Sequence, residues 1–168
     1  NLSLSNVPSL SGRTLILVDL SASMEYSLSD RSELQRWEAA ALFGSALAVR
    51  AKNADLYGYS SQGHNIGHFN IGPGGSTRKT RITRITPAAG ASVLPLVQQF
   101  RDCPSFGGGT ETAAAVQETF AGHDRVIILT DEQASSMVML PDVPVYTFNL
   151  AGYRMAHAPS TGRHHTVG

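Results

Sequence analysis

Two short apolar runs, each followed by an aspartate, set the first limit on how this chain can fold. Residues 14–18 (TLILV) precede Asp19, and residues 126–130 (VIILT) precede Asp131. Neither run alternates apolar and polar residues, which is typical of strands covered on both faces of a parallel sheet. Because the carboxyl ends of parallel strands lie at one edge of a sheet, both aspartates are expected at that edge.

The segments between these runs carry helical patterns. Ser32 and Gln35 form a possible capping box, which predicts a helix that reaches about Lys52. The middle of this helix is apolar nearly all round, so we expect it to be buried on most sides. Apolar residues recur at helical spacing within 93–100 and again within 113–120, which predicts two further helices.

Further strands are predicted at residues 54–59, 65–71 and 143–150. The first two are separated by Ser61-Gln62-Gly63, which favours a hairpin. Strands that alternate with helices indicate an α/β fold. We therefore predict a doubly wound, mostly parallel open sheet flanked by helices.

The length of 168 residues fits one domain. Residues 1–12 are rich in Ser and Asn and are expected to be a leader or linker, 13–152 to form the domain, and 153–168 to be a loop-like tail. The chain begins at Asn1 rather than at Met, so we expect a piece of a longer protein or a processed product.

Net charge excludes one class of function. Thirteen basic residues balance thirteen acidic ones, so a polyanion-binding protein that works by whole-domain charge is excluded. A local basic segment remains, containing Arg78, Lys79, Arg81 and Arg84. Two interpretations stand: contacts to RNA phosphates, or a solvated, mobile loop, which the preceding Gly- and Pro-rich residues favour.

Cysteine and hydropathy exclude other classes. The single cysteine, Cys103, excludes an internal disulfide and a cysteine-cluster zinc site, and it fits a reducing compartment. No apolar run approaches the roughly 18 residues of a membrane-spanning helix, so no membrane association is expected. His64, His68, His164 and His165 have no partner at a metal-binding spacing and are expected to be structural or exposed.

Five oxygen-bearing side chains are predicted to meet at the sheet edge. Asp19, Ser21 and Ser23 alternate with apolar residues, so a loop can direct one carboxylate and two hydroxyls to one point. The glycines at 107–109 permit a close backbone approach that brings Thr110 near, and Asp131 follows the second buried strand. The residues are Asp19, Ser21, Ser23, Thr110 and Asp131.

An all-oxygen set of this kind suits Mg²⁺, with Mn²⁺ or Ca²⁺ as alternatives, rather than zinc. The hydroxyls are neutral, so a bound ion would keep positive character and could accept an outside carboxylate or phosphate. The alternative interpretation of Asp19, Ser21 and Ser23 is a turn or helix cap. Thr110 could likewise cap the following helix.

These motifs resemble the metal-ion-dependent adhesion site of von Willebrand factor A domains. The resemblance rests on Asp19-Leu20-Ser21-Ala22-Ser23, on Thr110 in Gly-Gly-Gly-Thr and on Asp131 in Leu-Thr-Asp, and it spans about residues 13–152. It implies that Ser21 and Ser23 touch the metal directly. It also implies that Asp19 and Asp131 act directly or through water, and that Thr110 joins when the site is engaged.

A narrower resemblance concerns residues 128–133 (ILTDEQ), 145–153 (VYTFNLAGY) and the His-Ala-Pro and Gly-Arg-His elements of the tail. These are similar to the A domain of the Ro autoantigen (TROVE) proteins in a bacterial form. That family implies a cytoplasmic parent protein in which a ring of helical repeats binds small structured RNAs. RNA binding is therefore expected of the parent rather than of this chain. Members usually carry a closing helix after the last strand, which no pattern here predicts.

The favoured function is a metal-dependent binding module that is not an enzyme. A magnesium-dependent phosphohydrolase of the haloacid dehalogenase type is the first alternative, but it needs an aspartate where Ser21 stands and a lysine, and the chain has only Lys52 and Lys79. A Ser-His-Asp hydrolase lacks its Gly-x-Ser-x-Gly elbow, and a dinucleotide-binding fold lacks Gly-x-Gly-x-x-Gly after the first strand. The remaining alternative is a structural scaffold with a vestigial metal site.

Overall fold

A computed structural model of the chain describes residues 9–61, 80–86, 92–131, 140–151 and 162–167. The described strands form one six-stranded sheet in the order β3-β2-β1-β4-β5-β6. The strands are β1 Leu10–Asp19, β2 Ala51–Ser61, β3 Thr80–Ile85, β4 Arg125–Thr130, β5 Val145–Asn149 and β6 His164–Val167. The α-helices of the described part are α1 Arg36–Arg50, α2 Val93–Arg101 and α3 Thr112–Thr119.

Sheet topology confirms the predicted fold class. The strand pairs β2–β1, β1–β4, β4–β5 and β5–β6 are parallel, and β3 joins β2 antiparallel at one edge. In β1 the side chains alternate between the two faces, and those of Leu15, Ile16, Leu17 and Val18 are all fully buried. The lack of alternation in the sequence thus corresponds to a strand covered on both sides.

Each face of the sheet has its own core. Ile16, Val18 and Leu20 pack in one core with residues of α1 and α2, whereas Leu15 and Leu17 pack in the other with residues of α3. Helix α1 lies very close to the sheet, since a Cβ added at Gly44 would lie 2.9 Å from Val18 Cγ2. This packing holds the end of β1, and therefore Asp19, between the two layers of helices.

Helix α1 begins later than predicted. It starts at Arg36, with Gln35 as the N-cap, and the Glu38 carboxylate accepts a hydrogen bond from the Gln35 N–H at 3.0 Å. Ser32 instead accepts a hydrogen bond from the Leu34 N–H within the preceding turn. The capping interaction is therefore shifted by three residues along the chain, and the Ser32 capping box was wrong.

The prediction that α1 is buried on most sides was also wrong. The helix forms part of the outer layer, with the sheet beneath one side and α2 along another, so its far side faces solvent. Leu42, Phe43 and Val49 are 43%, 38% and 40% exposed. Because small residues such as Ala40, Ala41 and Gly44 lie against the sheet, apolar character around the whole helix did not indicate burial.

The antiparallel partner of β2 differs from the predicted one. β2 pairs with β3 through contacts such as Tyr59 opposite Ile82, and the predicted strand at 65–71 lies outside the described residues. Arg81 and Arg84, predicted to lie in a mobile loop, are strand residues of β3, so that prediction was wrong for these two. Arg78 and Lys79 lie outside the described residues.

The sheet extends beyond the predicted domain at both ends. β1 begins at Leu10, within the predicted leader, and β6 lies within the predicted loop-like tail. For residues 164–167 the loop prediction was wrong, because a four-residue strand is too short to show a pattern in the sequence. None of the helices in the described ranges is long and apolar enough to cross a membrane.

A charged cluster joins several of these elements. Asp55 of β2 lies 2.6 Å from an Arg84 guanidinium nitrogen, 3.3 Å from one of Arg13 and 2.9 Å from His123 Nε2. Burial alone would raise the pKa of Asp55, but the His123 hydrogen bond and the two arginines outweigh it and hold the pKa below its ordinary value. The cluster thus ties β2 to β1, to β3 and to the turn before β4.

Candidate metal-binding site

Asp19 ends β1 with no exposed surface. Its Oδ1 accepts a hydrogen bond from the Ser21 N–H at 2.9 Å. Its Oδ2 accepts one from the Thr130 hydroxyl at 2.7 Å and a longer one from the Thr110 hydroxyl at 3.5 Å. Both carboxylate oxygens are therefore oriented by neighbouring segments rather than by solvent.

Burial governs the charge on Asp19. Desolvation raises its pKa to about 6, opposed by the hydrogen bonds from Thr130 and Ser21, and the nearby Asp131 charge adds to the rise. The same buried surroundings raise the pKa of Tyr59 well above its ordinary value, and the charges of Asp19 and Asp131 contribute. The Tyr59 phenol therefore stays protonated, and its OH lies 2.9 Å from the Thr112 hydroxyl.

The loop after β1 brings the two serines together. The hydroxyls of Ser21 and Ser23 lie 3.1 Å apart. The Met24 N–H donates to the Ser21 carbonyl, which begins the 3₁₀ turn Ala22–Glu25. Ser21 is 2% exposed and Ser23 is half-buried, so Ser21 is buried like Asp19 and Ser23 lies closer to the surface.

The glycine-rich loop supports Thr110 from the side of β2. Gly109 and Ser61 exchange two backbone hydrogen bonds, and the Ala22 N–H donates to the Gly108 carbonyl. Gly108 has φ +88°, and a Cβ there would lie 2.2 Å from the Ser61 carbonyl oxygen. Only glycine fits this approach, which places the Thr110 hydroxyl beside Asp19.

Thr110 does not cap α3. The residue that precedes the helix is Glu111, and its side chain makes no capping hydrogen bond. The alternative that Thr110 serves only as a helix cap is therefore wrong, since its hydroxyl points to Asp19 instead.

Asp131 follows β4 and is also fully buried. Its Oδ2 accepts a hydrogen bond from Arg36 Nη1 at 3.1 Å, and the same nitrogen lies 3.5 Å from the Ser23 carbonyl oxygen. Its Oδ1 is buried and has no hydrogen-bond partner among the described residues. Within the described residues this buried carboxylate oxygen is therefore an acceptor that is not used.

Sequence reasoning missed two contributors to the site, Thr130 and Arg36. Thr130 gave a weak signal, since it is the polar residue that ends an apolar strand. Arg36 gave another signal, because a cation in the first turn of a helix is unfavourable for the helix dipole and therefore needs a compensating partner. Neither signal pointed to a particular partner.

The donor set fits a hard divalent cation. Two carboxylates and three hydroxyls converge, and one buried carboxylate oxygen, Asp131 Oδ1, has no hydrogen-bond partner in the described part of the chain. No group of three or more His, Cys, Asp or Glu side chains is placed to hold a metal ion within the ranges the structure describes. An ion here would therefore rely on neutral hydroxyls for much of its coordination, as Mg²⁺, Mn²⁺ or Ca²⁺ can.

Other candidate residues lie away from this site or outside the description. His164 Nε2 lies 3.1 Å from the Thr147 hydroxyl, and His165 stacks on Tyr146. Lys52 is the second residue of β2, and Ser61 is the last residue of the same strand. His64 and His68 lie outside the described residues.

A comparison with solved structures finds a protein of similar fold. The chain is similar to the crystal structure of the Deinococcus radiodurans Ro (RSR) protein, with a TM-score of 0.65 and 14% sequence identity. The match covers 98% of this chain and 33% of that one, so the chain spans about a third of its length. The similarity to Ro proteins expected from the motifs is confirmed for the fold. No protein-family model matches the chain, and no curated protein matches it.

Proposed function

We propose that this chain is a divalent-metal-dependent binding module, in which one ion joins the motif to an acidic group of a partner protein or ligand. The observation that carries the proposal is the convergence of five oxygen-bearing side chains at one sheet edge, with Asp131 Oδ1 buried and without a hydrogen-bond partner among the residues that the structure describes. Mg²⁺ is the favoured ion, and Mn²⁺ or Ca²⁺ are alternatives. The ion would supply a coordination position for a carboxylate or phosphate oxygen of the partner.

The residues of the chain have distinct tasks in this proposal. Ser21 and Ser23 would hold the ion directly, because their hydroxyls lie 3.1 Å apart. Asp19 and Asp131 would supply the negative charge. Thr110 is hydrogen-bonded to Asp19, at the long distance of 3.5 Å, and is therefore well placed to change partner when a ligand engages.

Binding without turnover is favoured over phosphohydrolase chemistry. That chemistry needs a second carboxylate two residues after Asp19, and Ser21 stands there with its hydroxyl bonded to Ser23. It also needs a lysine, and Lys52 lies at the far end of β2 from Ser61, whose backbone supports the glycine loop. Lys79 lies outside the described residues.

A cytoplasmic Ro-like ribonucleoprotein as the parent protein belongs to the same proposal. The shared fold with the Deinococcus Ro structure supports it, together with the motifs around Asp131 and Tyr153. In such a parent the binding of small structured RNA would fall mainly to another part of the protein. This module would recruit or position a partner through its acidic group.

Metal-linked thermal unfolding tests the proposal. Mg²⁺, Mn²⁺ or Ca²⁺ at 100 times its dissociation constant should stabilise the wild type by about 2.7 kcal/mol, which raises the unfolding midpoint by about 5–10 °C in a domain of this size. Asp19→Ala should lose this rise, and Ser23→Ala should reduce it. Ser27→Ala is the matched control, since Ser27 is an exposed serine of the same loop.

Two results would count against the proposal. If no ion at millimolar concentration raises the midpoint of the wild type, the motif is a vestigial site and the domain a scaffold. If the protein hydrolyses p-nitrophenyl phosphate in the presence of Mg²⁺ and loses this activity in Asp19→Ala, the phosphohydrolase alternative replaces it.

A further inference from the structure

Arg36 places a cation inside the motif. It is the first residue of α1, and its side chain is 13% exposed. One nitrogen, Nη1, contacts both the Asp131 carboxylate and the Ser23 carbonyl, and the guanidinium lies over the Tyr26 ring at 5.7 Å. The side chain therefore joins the two segments that carry the candidate ligands Ser23 and Asp131.

The position is unfavourable for an arginine that has no acidic partner nearby. The N-terminus of a helix carries partial positive charge, which repels a cation. Burial of the guanidinium and of Asp131 adds a desolvation cost to each, which their mutual attraction must offset. Nε of Arg36 is also buried, with no hydrogen-bond partner among the described residues. The ion pair with Asp131 is therefore the main reason for this conformation.

The charges of the site follow from this pair. Asp19 and Asp131 together contribute two negative charges when ionised, and Arg36 compensates one of them. A divalent ion that approaches the serine hydroxyls would meet both a partly neutralised carboxylate pair and a fixed positive charge. Coulomb repulsion from the guanidinium would oppose the binding of this ion.

We infer that Arg36 is a resident counter-cation of this site, which competes with the divalent ion for Asp131 and thereby sets the metal affinity. The inference rests on the proposed function and adds its regulation. Without metal, the guanidinium stabilises the buried Asp131. Metal binding would weaken the Arg36–Asp131 contact and, with it, the contact of the same nitrogen with the Ser23 carbonyl, so the guanidinium would leave the site while the Ser23 hydroxyl holds the ion.

Arg36→Gln tests this competition by isothermal titration with Mg²⁺ and Mn²⁺. The variant should bind the ion about tenfold more tightly than the wild type, because a neutral side chain removes the competing charge. Its unfolding midpoint in EDTA should be lower, because Asp131 loses its partner. Arg36→Lys keeps the charge and should bind the ion with an affinity close to that of the wild type.

Arg101→Gln is the matched control. Arg101 is the last residue of α2, is exposed, pairs with Glu38 of α1 and lies over Trp37, so its loss changes net charge equally without touching the motif. It should leave metal affinity unchanged. Equal or weaker metal binding by Arg36→Gln, with the wild type binding normally, would overturn the inference and make Arg36 a structural support of Asp131.

If Arg36→Gln does not fold, the competition can still be tested by a measurement on the wild type. The Arg36 Nε–H gives a side-chain NMR signal that can be assigned with Arg36→Lys. It should exchange slowly with water in EDTA and rapidly in saturating Mg²⁺. An exchange rate that metal does not change would contradict the release of Arg36. If neither wild type nor variants bind any of the ions, the proposed function itself fails.

Discussion

At the scale of single residues, Asp19 is a carboxylate with no exposed surface whose ionisation is costly. Burial raises its pKa to about 6, against an ordinary value of 3.8. Three hydrogen-bond donors, from Ser21, Thr110 and Thr130, surround it but do not compensate fully for the lost water. The residue thus keeps, in the metal-free fold, a charge that a divalent cation would stabilise.

The pH dependence of stability should report this ionisation. A group with a raised folded-state pKa stabilises the fold fully below its unfolded pKa, and this contribution is lost as pH rises through the folded pKa. In EDTA, the wild type should therefore lose about 3 kcal/mol from Asp19 between about pH 4 and pH 8. Asp19→Asn should lack this component in urea unfolding at each pH.

The difference between the two pH profiles is the decisive quantity, because groups that lie away from Asp19 titrate in the same way in both proteins. Asparagine can still accept from the Ser21 N–H and can donate to the Thr130 hydroxyl, so the fold should tolerate it. Parallel profiles for wild type and variant across this range would show that Asp19 keeps an ordinary pKa.

At the scale of elements, the glycine-rich loop and the end of β2 together place Thr110. Their contact is made by backbone atoms, since Ser61 and Gly109 bond to each other in both directions. The loop also receives the Ala22 N–H at Gly108 and donates from the Gly107 N–H to the Leu20 carbonyl. These hydrogen bonds attach the loop to the end of β2 and to the residues that directly follow β1.

Two alanine substitutions distinguish the two reasons for glycine in this loop. One reason is the positive φ, and the other is the close approach of the loop backbone to the Ser61 carbonyl. Gly107 and Gly108 both have positive φ, of +79° and +88°, but a Cβ at Gly107 would have no neighbour within 4 Å. Gly107→Ala should cost about 1–2 kcal/mol for its left-handed conformation. Gly108→Ala should cost more, and should also weaken metal binding, because the Ser61 carbonyl must move.

Chemical unfolding of both variants, followed by metal titration, checks this prediction. Equal losses of stability in Gly107→Ala and Gly108→Ala would mean that the approach to Ser61 does not matter. An unchanged metal affinity in Gly108→Ala would separate the loop from the site.

At the scale of the whole molecule, one sheet edge collects residues that are far apart in the chain. Four segments contribute these residues, and each segment is held by a different strand end or helix start. The segments carry Asp19 with Ser23, Arg36, Thr110, and Thr130 with Asp131. The parallel strand order β2-β1-β4 makes this possible, because it aligns the carboxyl ends of three buried strands.

The extent of the folded unit can be tested by truncation. β6 pairs with β5 along its length, and the His165 ring stacks on Tyr146 at 5.2 Å. Removal of residues 153–168 would expose the edge of β5, so we expect a loss of about 1–2 kcal/mol and a midpoint lower by several degrees. Removal of residues 1–8, which precede β1, is the control. An unchanged midpoint after the first truncation would place β6 outside the cooperative unit.

The sequence by itself determined the fold class and the common location of Asp19 and Asp131. Both follow from local information, since unalternating apolar runs form buried parallel strands and strand ends share an edge. Local patterns did not predict the start of α1 correctly. Gln35 rather than Ser32 caps the helix, and several polar residues in this segment could have taken that role. Local patterns also did not reveal that β3 is the antiparallel partner of β2.

Only the tertiary structure decided what surrounds the two aspartates. Arg36 and Asp131 are 95 residues apart, and Thr130 and Asp19 are 111 apart. No sequence periodicity predicts either contact, because both form only when separate elements pack on a common sheet. The sequence therefore determined which side chains reach the edge. The packing of α1 and of the glycine-rich loop decided which of them are paired, and it left Asp131 Oδ1 without a partner among the described residues.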